Sequence, residues 1–290
     1  MSKALVSALL KLNRTLSSSL SGSQFTENQK EALMNFETKT QAIQCLKKGR
    51  GITFKIIDSQ VVETHLNHHS PGYDGRNKVP ERAANIALNR NSKGGKSNHE
   101  KAYILLKTVN NPCWMREGKL IIELNQNTEQ FGICALEIGN ESNTDLTTTH
   151  SIWLVENQAL FDQLDWLPTN EPTTVIWYRG HLSNKLIDWL TINRTAKVYL
   201  FADYDGVGLN NYARITTKLG NDVEFWLMPE WNRLLSTYGS DEVWKSTKDD
   251  VNHFLKTSEQ LLANKAELKE LIIEMQKQGL ALEQEAVWLA

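Results

Sequence analysis

From residue 151 the chain alternates short, almost wholly apolar runs with segments of helical spacing. SIWLVE, TVIWYR, KVYLFAD and VEFWLMP are the apolar runs, and NQALFDQL, SNKLIDWLTI and LNNYARITTKL lie between them. A run without polar alternation has no face to give to water, so it fits a strand covered on both sides by helices. Strand–helix alternation of this kind predicts a mostly parallel sheet, here of four strands. Such sheets gather functional residues at the carboxyl ends of their strands. Those positions carry Glu156 after the first run, Arg179, Gly180 and His181 after the second, and Asp203 and Asp205 after the third.

Three carboxylates at one sheet edge raise each other's pKa unless a cation sits among them. Oxygen ligands in this pattern suit Mg²⁺ or Mn²⁺, which complete their coordination with water and phosphate. Gly206 and Gly208, in DYDGVGL, then read as space left for an approaching phosphodiester backbone. In that chemistry Glu156 is either a third metal ligand or the base that takes a proton from water. Arg179 and His181 are candidates for steadying phosphate.

The first half is read from helix start and stop signals. Thr26-Glu27-Asn28-Gln29 has capping-box spacing and opens a helix that Gly49 and Gly51 would stop, with a strand over residues 50–57. Pro80 starts a helix through about Arg90, and Ser97-Asn98-His99-Glu100 caps another that carries Tyr103 in its apolar stripe. KLIIEL and FGICALEI, joined by NQNTEQ, read as a β-hairpin. Helix, helix, hairpin is the order of a winged helix, so residues 1–146 are expected to form an α+β winged-helix-like region ahead of an α/β domain over residues 147–290.

Charge is informative only locally. The whole chain carries −2, yet residues 76–107 hold eight basic residues against two acidic ones, +6. Arg82, Arg90, Lys93, Lys96 and Lys101 in this island are the candidates for sequence-independent phosphate contact, making double-stranded DNA the expected partner. GGKS in NRNSKGGKS lacks the earlier glycine of a phosphate-binding loop, and His65, His68 and His69 in HLNHH read as a polar loop. Cys45, Cys113 and Cys134 are widely spaced and odd in number, which fits reduced thiols of a cytoplasmic protein with no membrane span.

LVENQALF, YRGHLS and FADYDGVGL in this order resemble the Toprim domain over about residues 147–228. VEN, DxDGxGL and the carboxyl-terminal LEQEA are most similar to topoisomerase VI A-subunit relatives, above all the JetD-like nuclease subunits of Wadjet, an SMC-type plasmid-defence system. The resemblance implies that Glu156, Asp203 and Asp205 bind the metal, and that an SMC-type ATPase complex is a partner. Neither Tyr73 nor Tyr103 matches the tyrosine that a topoisomerase of this group uses as nucleophile. The expectation is therefore a Mg²⁺- or Mn²⁺-dependent DNA endonuclease. Its rivals are a topoisomerase-like transesterase and a non-catalytic assembly subunit. Thr257-Ser258-Glu259-Gln260 predicts a long helix to about Gln278, then a turn at Gly279. It would pack on the sheet or dock a partner or a second copy of the chain, a homodimer placing two sites on opposite DNA strands.

Overall fold

A computed structural model describes residues 3–15, 19–49, 51–69, 79–89, 91–93, 101–139, 142–194 and 196–290. The chain divides into two compact units, Met1–His99 and Glu100–Ala290. The boundary expected at 146/147 falls inside the second.

The first unit contains α1 (Lys3–Asn13), β1 (Ser19–Ser21), α2 (Glu27–Thr40), β2 (Ile43–Lys48), β3 (Gly51–Ile56), α3 (Ser59–His69) and α4 (Glu81–Asn89). Its strands form an antiparallel sheet in the order β1-β3-β2. Leu9 from α1, Leu33 and Phe36 from α2, Phe54 from β3 and Val62 from α3 share its core. The capping box is made: Thr26 Oγ1 accepts the Gln29 N–H at 3.3 Å and Gln29 Oε1 accepts the Thr26 N–H at 3.1 Å. Two amides of the first turn are thereby satisfied. α2 stops at Thr40 rather than near Gly49, because Gln41 turns left-handed at φ +56° and the chain continues as a hairpin about Gly49. His65, His68 and His69 lie on α3 and not on a loop, with the His65 ring 4.8 Å from that of Phe36.

The second unit begins with β4 (Lys101–Val109), β5 (Trp114–Arg116), β6 (Lys119–Ile121), α5 (Glu123–Phe131), β7 (Cys134–Gly139) and β8 (Leu146–Thr148). The expected helix through Tyr103 is thus a strand, and the NQNTEQ hairpin tip is a helix closed by Gly132 at φ +79°. The helix–helix–hairpin order is not formed here. Next come β9 (Ser151–Val155), α6 (Gln158–Asp162), β10 (Thr173–Trp177), α7 (Asn184–Asn193), β11 (Val198–Phe201), α8 (Gly206–Leu219) and β12 (Val223–Phe225), matching the predicted alternation. The unit closes with α9 (Trp231–Tyr238), α10 (Asp241–Thr257), α11 (Glu259–Leu262), α12 (Ala266–Gln278) and a 3₁₀ turn at Gln284–Leu289. The long helix expected from Thr257 is broken into α11 and α12, while Gly279 ends α12 at φ +66° as anticipated.

The protein is a mixed α/β structure built on a six-stranded sheet, order β12-β11-β9-β10-β4-β7. The run β12-β11-β9-β10 is parallel, and β4 and β7 extend it antiparallel beyond the four strands expected. β9, β10 and β11 supply Ile152, Leu154, Val175, Ile176, Leu200 and Phe201 to the core, all without exposed surface. Covering both faces explains why these strands lack polar alternation. Among the described residues no helix is long and apolar enough to cross a membrane.

Candidate functional site

The chain leaves β9 for β10 on one side and then crosses back to lay β11 on the other side of β9. This reversal opens a crevice at the carboxyl ends of β9 and β11. Val155 stands opposite Phe201 in the parallel register, so Glu156 and the Ala202–Asp203 segment emerge at the same level. Asp205 then caps α8, its Oδ1 accepting the Gly208 N–H at 2.8 Å.

The carboxyl-terminal tail completes the crevice. Leu282 and Tyr204 exchange backbone hydrogen bonds of 2.8 and 3.1 Å. Two residues on, the Gln284 N–H donates to Asp203 Oδ1 at 2.8 Å. The fully buried Gln284 side chain donates to the Phe201 carbonyl at 3.2 Å and accepts the Asn157 N–H at 3.1 Å, tying the ends of β9 and β11 together. Asn157 also donates to Glu285 Oε1. On the other flank, the Tyr178 hydroxyl donates to Glu156 Oε2 at 2.9 Å and the Trp177 indole donates to the Glu156 carbonyl at 2.8 Å.

Electrostatics follow from burial and crowding. Burial, opposed by the Tyr178 hydrogen bond and helped by Asp205 and Glu285, lifts the Glu156 carboxyl to about 7. Burial lifts Asp203 to about 8, opposed by the Gln284 N–H and helped by Glu156, Asp205 and Glu285. Asp205 is raised by burial first and by Asp250 and Glu283, against the Gly208 and Val207 amides. Tyr178, buried beside Glu156, is pushed well above the usual phenol range and stays a neutral donor. Glu156, Asp203 and Asp205 therefore share one electrostatic neighbourhood, joined by Glu283, Glu285 and Asp250. Yet among the described residues no three such side chains stand close enough to hold a metal ion. The donor chemistry would suit a hard divalent cation, whose binding would require the carboxylates to draw inward.

Ordinary values for the two acids are 4.5 and 3.8, so in the cation-free protein the folded state holds extra protons up to about 7 for Glu156 and about 8 for Asp203. Stability then falls as pH rises from the ordinary carboxylate range to about 8, and levels off above it. A divalent cation needs the ionised forms, so the gain in melting temperature on adding Mn²⁺ should be smaller at about pH 6 than at about pH 8. Melting curves with and without Mn²⁺ measure this, and a gain independent of pH would contradict it.

The remaining candidates separate. Arg179 and Gly180 form a left-handed turn, φ +54° and +72°, and a methyl group added at Gly180 would lie 4.0 Å from Glu156 Oε1. That turn borders the site, with the Arg179 guanidinium 5.8 Å from the Trp177 ring centre and the His181 imidazole exposed. A non-glycine residue in this conformation costs about 1 kcal/mol. The basic island is not one helical face. Arg82 is exposed on α4 and Lys93 is exposed beyond it, whereas Lys101 opens β4 in the other unit and pairs with Glu137 at 2.8 Å. Arg90, Lys96, Tyr73 and the GGKS run lie outside the described residues. Tyr103, expected in the core, is 74% exposed on β4.

Gly206 and Gly208 do not face open space. A methyl group on Gly208 would meet the Asp203 carbonyl oxygen at 2.1 Å, and one on Gly206 would meet the Thr247 carbonyl oxygen of α10 at 2.3 Å. Both glycines serve close backbone packing behind the carboxylates. The contributions of Gln284, Glu283 and Glu285 were not predicted, since LEQEA reaches the crevice only through tertiary structure.

No curated protein matches the chain. The family model described as Domain of unknown function (DUF7281) matches residues 103–289. The match takes in β9, β11, the turn after β10 and the tail that closes the crevice, and the chain belongs to this family.

Proposed function

We propose that the protein is a Mg²⁺- or Mn²⁺-dependent DNA endonuclease of Toprim type that hydrolyses phosphodiester bonds. The observation that carries this reading is geometric: where the sheet order reverses, the β9–β11 register brings Glu156 and Asp203 out at one level, and Asp205 caps α8 directly after them. Buried acids of like charge, with only hydrogen-bond donors to relieve them, favour either protons or a multivalent cation. A divalent ion held by Glu156, Asp203 and Asp205 would supply charge neutralisation at the scissile phosphate.

The chain's own residues set the stage. The Gln284 N–H orients Asp203 and the Gly208 N–H orients Asp205. Tyr178 fixes one oxygen of Glu156, leaving the other to take a cation or a water proton. The local order β10-β9-β11-β12 supports the Toprim assignment, since it places acids from separate strands at one edge. The strand order β1-β3-β2 with a hairpin after α2 supports a winged helix within the first unit, upstream of the helix–helix–hairpin segment expected from the sequence. The proposal includes duplex DNA held by its backbone, and action within an SMC-type anti-plasmid complex, as the sequence resemblance implies.

The test is cleavage of circular plasmid with Mg²⁺ or Mn²⁺, by the chain alone and with any SMC-type partners. Product ends free of protein are expected, and intact plasmid under every one of these conditions would reject the reading. Tyr103 favours a second reading, because it is exposed and lines a groove with Trp177 and Arg179. A transesterase would leave a protease-sensitive phosphotyrosyl end that Tyr103→Phe abolishes.

A further inference from the structure

Arg214 on α8 has an unusual set of partners. One of its Nη atoms donates to Asn211 Oδ1 at 3.2 Å and lies 3.5 Å from His181 Nδ1, while the other donates to Asn184 Oδ1 at 2.7 Å. Asn211, itself buried, donates to the Gly180 carbonyl at 3.1 Å. Among the described residues no ion pair includes Arg214. Side chains from α7, α8 and the turn after β10 hold the guanidinium in place, and none of them is a carboxylate that would compensate its charge.

This arrangement differs from a structural arginine. A carboxylate would fix the side chain and cancel its charge together. Amides and an imidazole fix it without cancelling, so the rotamer entropy is already lost and an anion can bind with little further ordering. Arg214 also lines an open groove of about 760 Å³ with Thr217 of α8, His253, Lys256 and Thr257 of α10, and Glu259 of α11. The groove therefore carries more positive than negative groups. Arg214 is tied to the carboxylate site through Asn211, which bonds the carbonyl of Gly180, where an added methyl group would lie 4.0 Å from Glu156 Oε1.

We propose that Arg214, steadied by Asn184, Asn211 and His181, binds a phosphodiester of the DNA strand flanking the scissile position, and that Lys256 and His253 extend this track along the groove. The inference rests on the DNA endonuclease reading for its ligand. Contacts of this type release counterions and give salt-dependent, sequence-independent affinity.

The experiment measures binding of a fluorescent duplex across a salt series, using the full chain with Asp203→Asn as the non-cleaving parent. Adding Arg214→Gln should weaken binding about tenfold and lower the slope of log affinity against log salt by about 1. Lys256→Gln should lower the slope in the same direction. Arg214→Lys should restore most of the slope but not all of the affinity, since it keeps charge and loses the planar fork. An unchanged slope and affinity in Arg214→Gln, with an unchanged melting temperature, overturns the proposal. If Arg214→Gln fails to fold, a Lys256→Gln slope equal to that of the parent overturns it instead. Loss of inorganic phosphate binding without any change for DNA would mark a free-anion site and overturns it too. Wild-type protein that cuts plasmid while Arg214→Gln binds like its parent rejects only the phosphate subsite. A chain that neither cuts nor binds DNA rejects the endonuclease reading and this inference together.

Discussion

Asp203→Asn and Glu156→Gln are expected to reduce metal-dependent plasmid cleavage by at least about 100-fold while leaving the protein as stable as wild type or more so. The two effects have one cause. Burial and neighbouring carboxylates hold these acids up to about 8 and about 7, so each costs stability when ionised and little when neutral. The amide is an isostere of the neutral acid. In Asp203→Asn the retained oxygen still accepts the Gln284 N–H, and in Glu156→Gln it still accepts the Tyr178 hydroxyl. What disappears is the negative charge that a divalent cation requires. Melting temperature at about pH 8 should therefore rise or hold without metal and lose its increment with Mn²⁺. Asp205→Asn belongs to the same series, because asparagine keeps the cap on α8 that alanine would remove at a cost of about 1 kcal/mol. Cleavage by all of these variants at the wild-type rate would remove the carboxylates from the chemistry. Loss of cleavage together with loss of folding would make them structural instead.

That pattern separates an enzyme from an assembly subunit. A scaffold gains nothing from like-charged acids buried at one edge, so replacing them would improve stability without loss. An active site keeps them despite the strain, and the variants expose the trade.

The parallel half of the sheet was readable because its signal is local and repeated. Each of β9, β10, β11 and β12 is short and apolar, and each of α6, α7 and α8 fits between its neighbours. The position of Glu156 and Asp203 followed, since strand-end residues of a parallel sheet converge without further information. β4 reads as a helix because Tyr103 fits an apolar stripe, while its burial pattern, Ile104 and Leu106 inward with Tyr103 outward, emerges only once β7 and β10 flank it. Tertiary pairing overrode a helical reading there. NQNTEQ reads as a turn by its polarity, although Leu124 faces the core and Gly132 provides the left-handed stop of a helix. The tail was beyond sequence reasoning for a different reason. Gln284 meets Asp203 across 81 positions of chain, and nothing local to either residue encodes that distance. Arg214 was missed likewise, because its partners Asn184, Asn211 and His181 come from separate elements.

Gly208→Ala should unfold the second unit or lower its melting temperature by more than about 10 °C, since an added methyl group clashes more closely there than at any other described glycine. The added carbon would stand 2.1 Å from the Asp203 carbonyl oxygen and 3.0 Å from Ala202 Cβ, both on the rigid exit from β11. Neither neighbour is the end of a flexible side chain, so relief requires α8 to move away from the strand that positions it. Gly206→Ala should act similarly through α10, where the methyl would meet the Thr247 carbonyl oxygen at 2.3 Å and Asp250 Cβ at 2.5 Å. Each displacement would also shift Asp205, whose Oδ1 is held by the Gly208 N–H. The alternative role for these glycines, space for an incoming phosphodiester, makes the opposite forecast: a variant that melts like wild type and fails only to bind or cut DNA. Thermal melting without DNA or metal decides between them. A loss of stability there ties the DGVG segment first to the packing of α8 against β11 and α10, and only through that packing to the carboxylates.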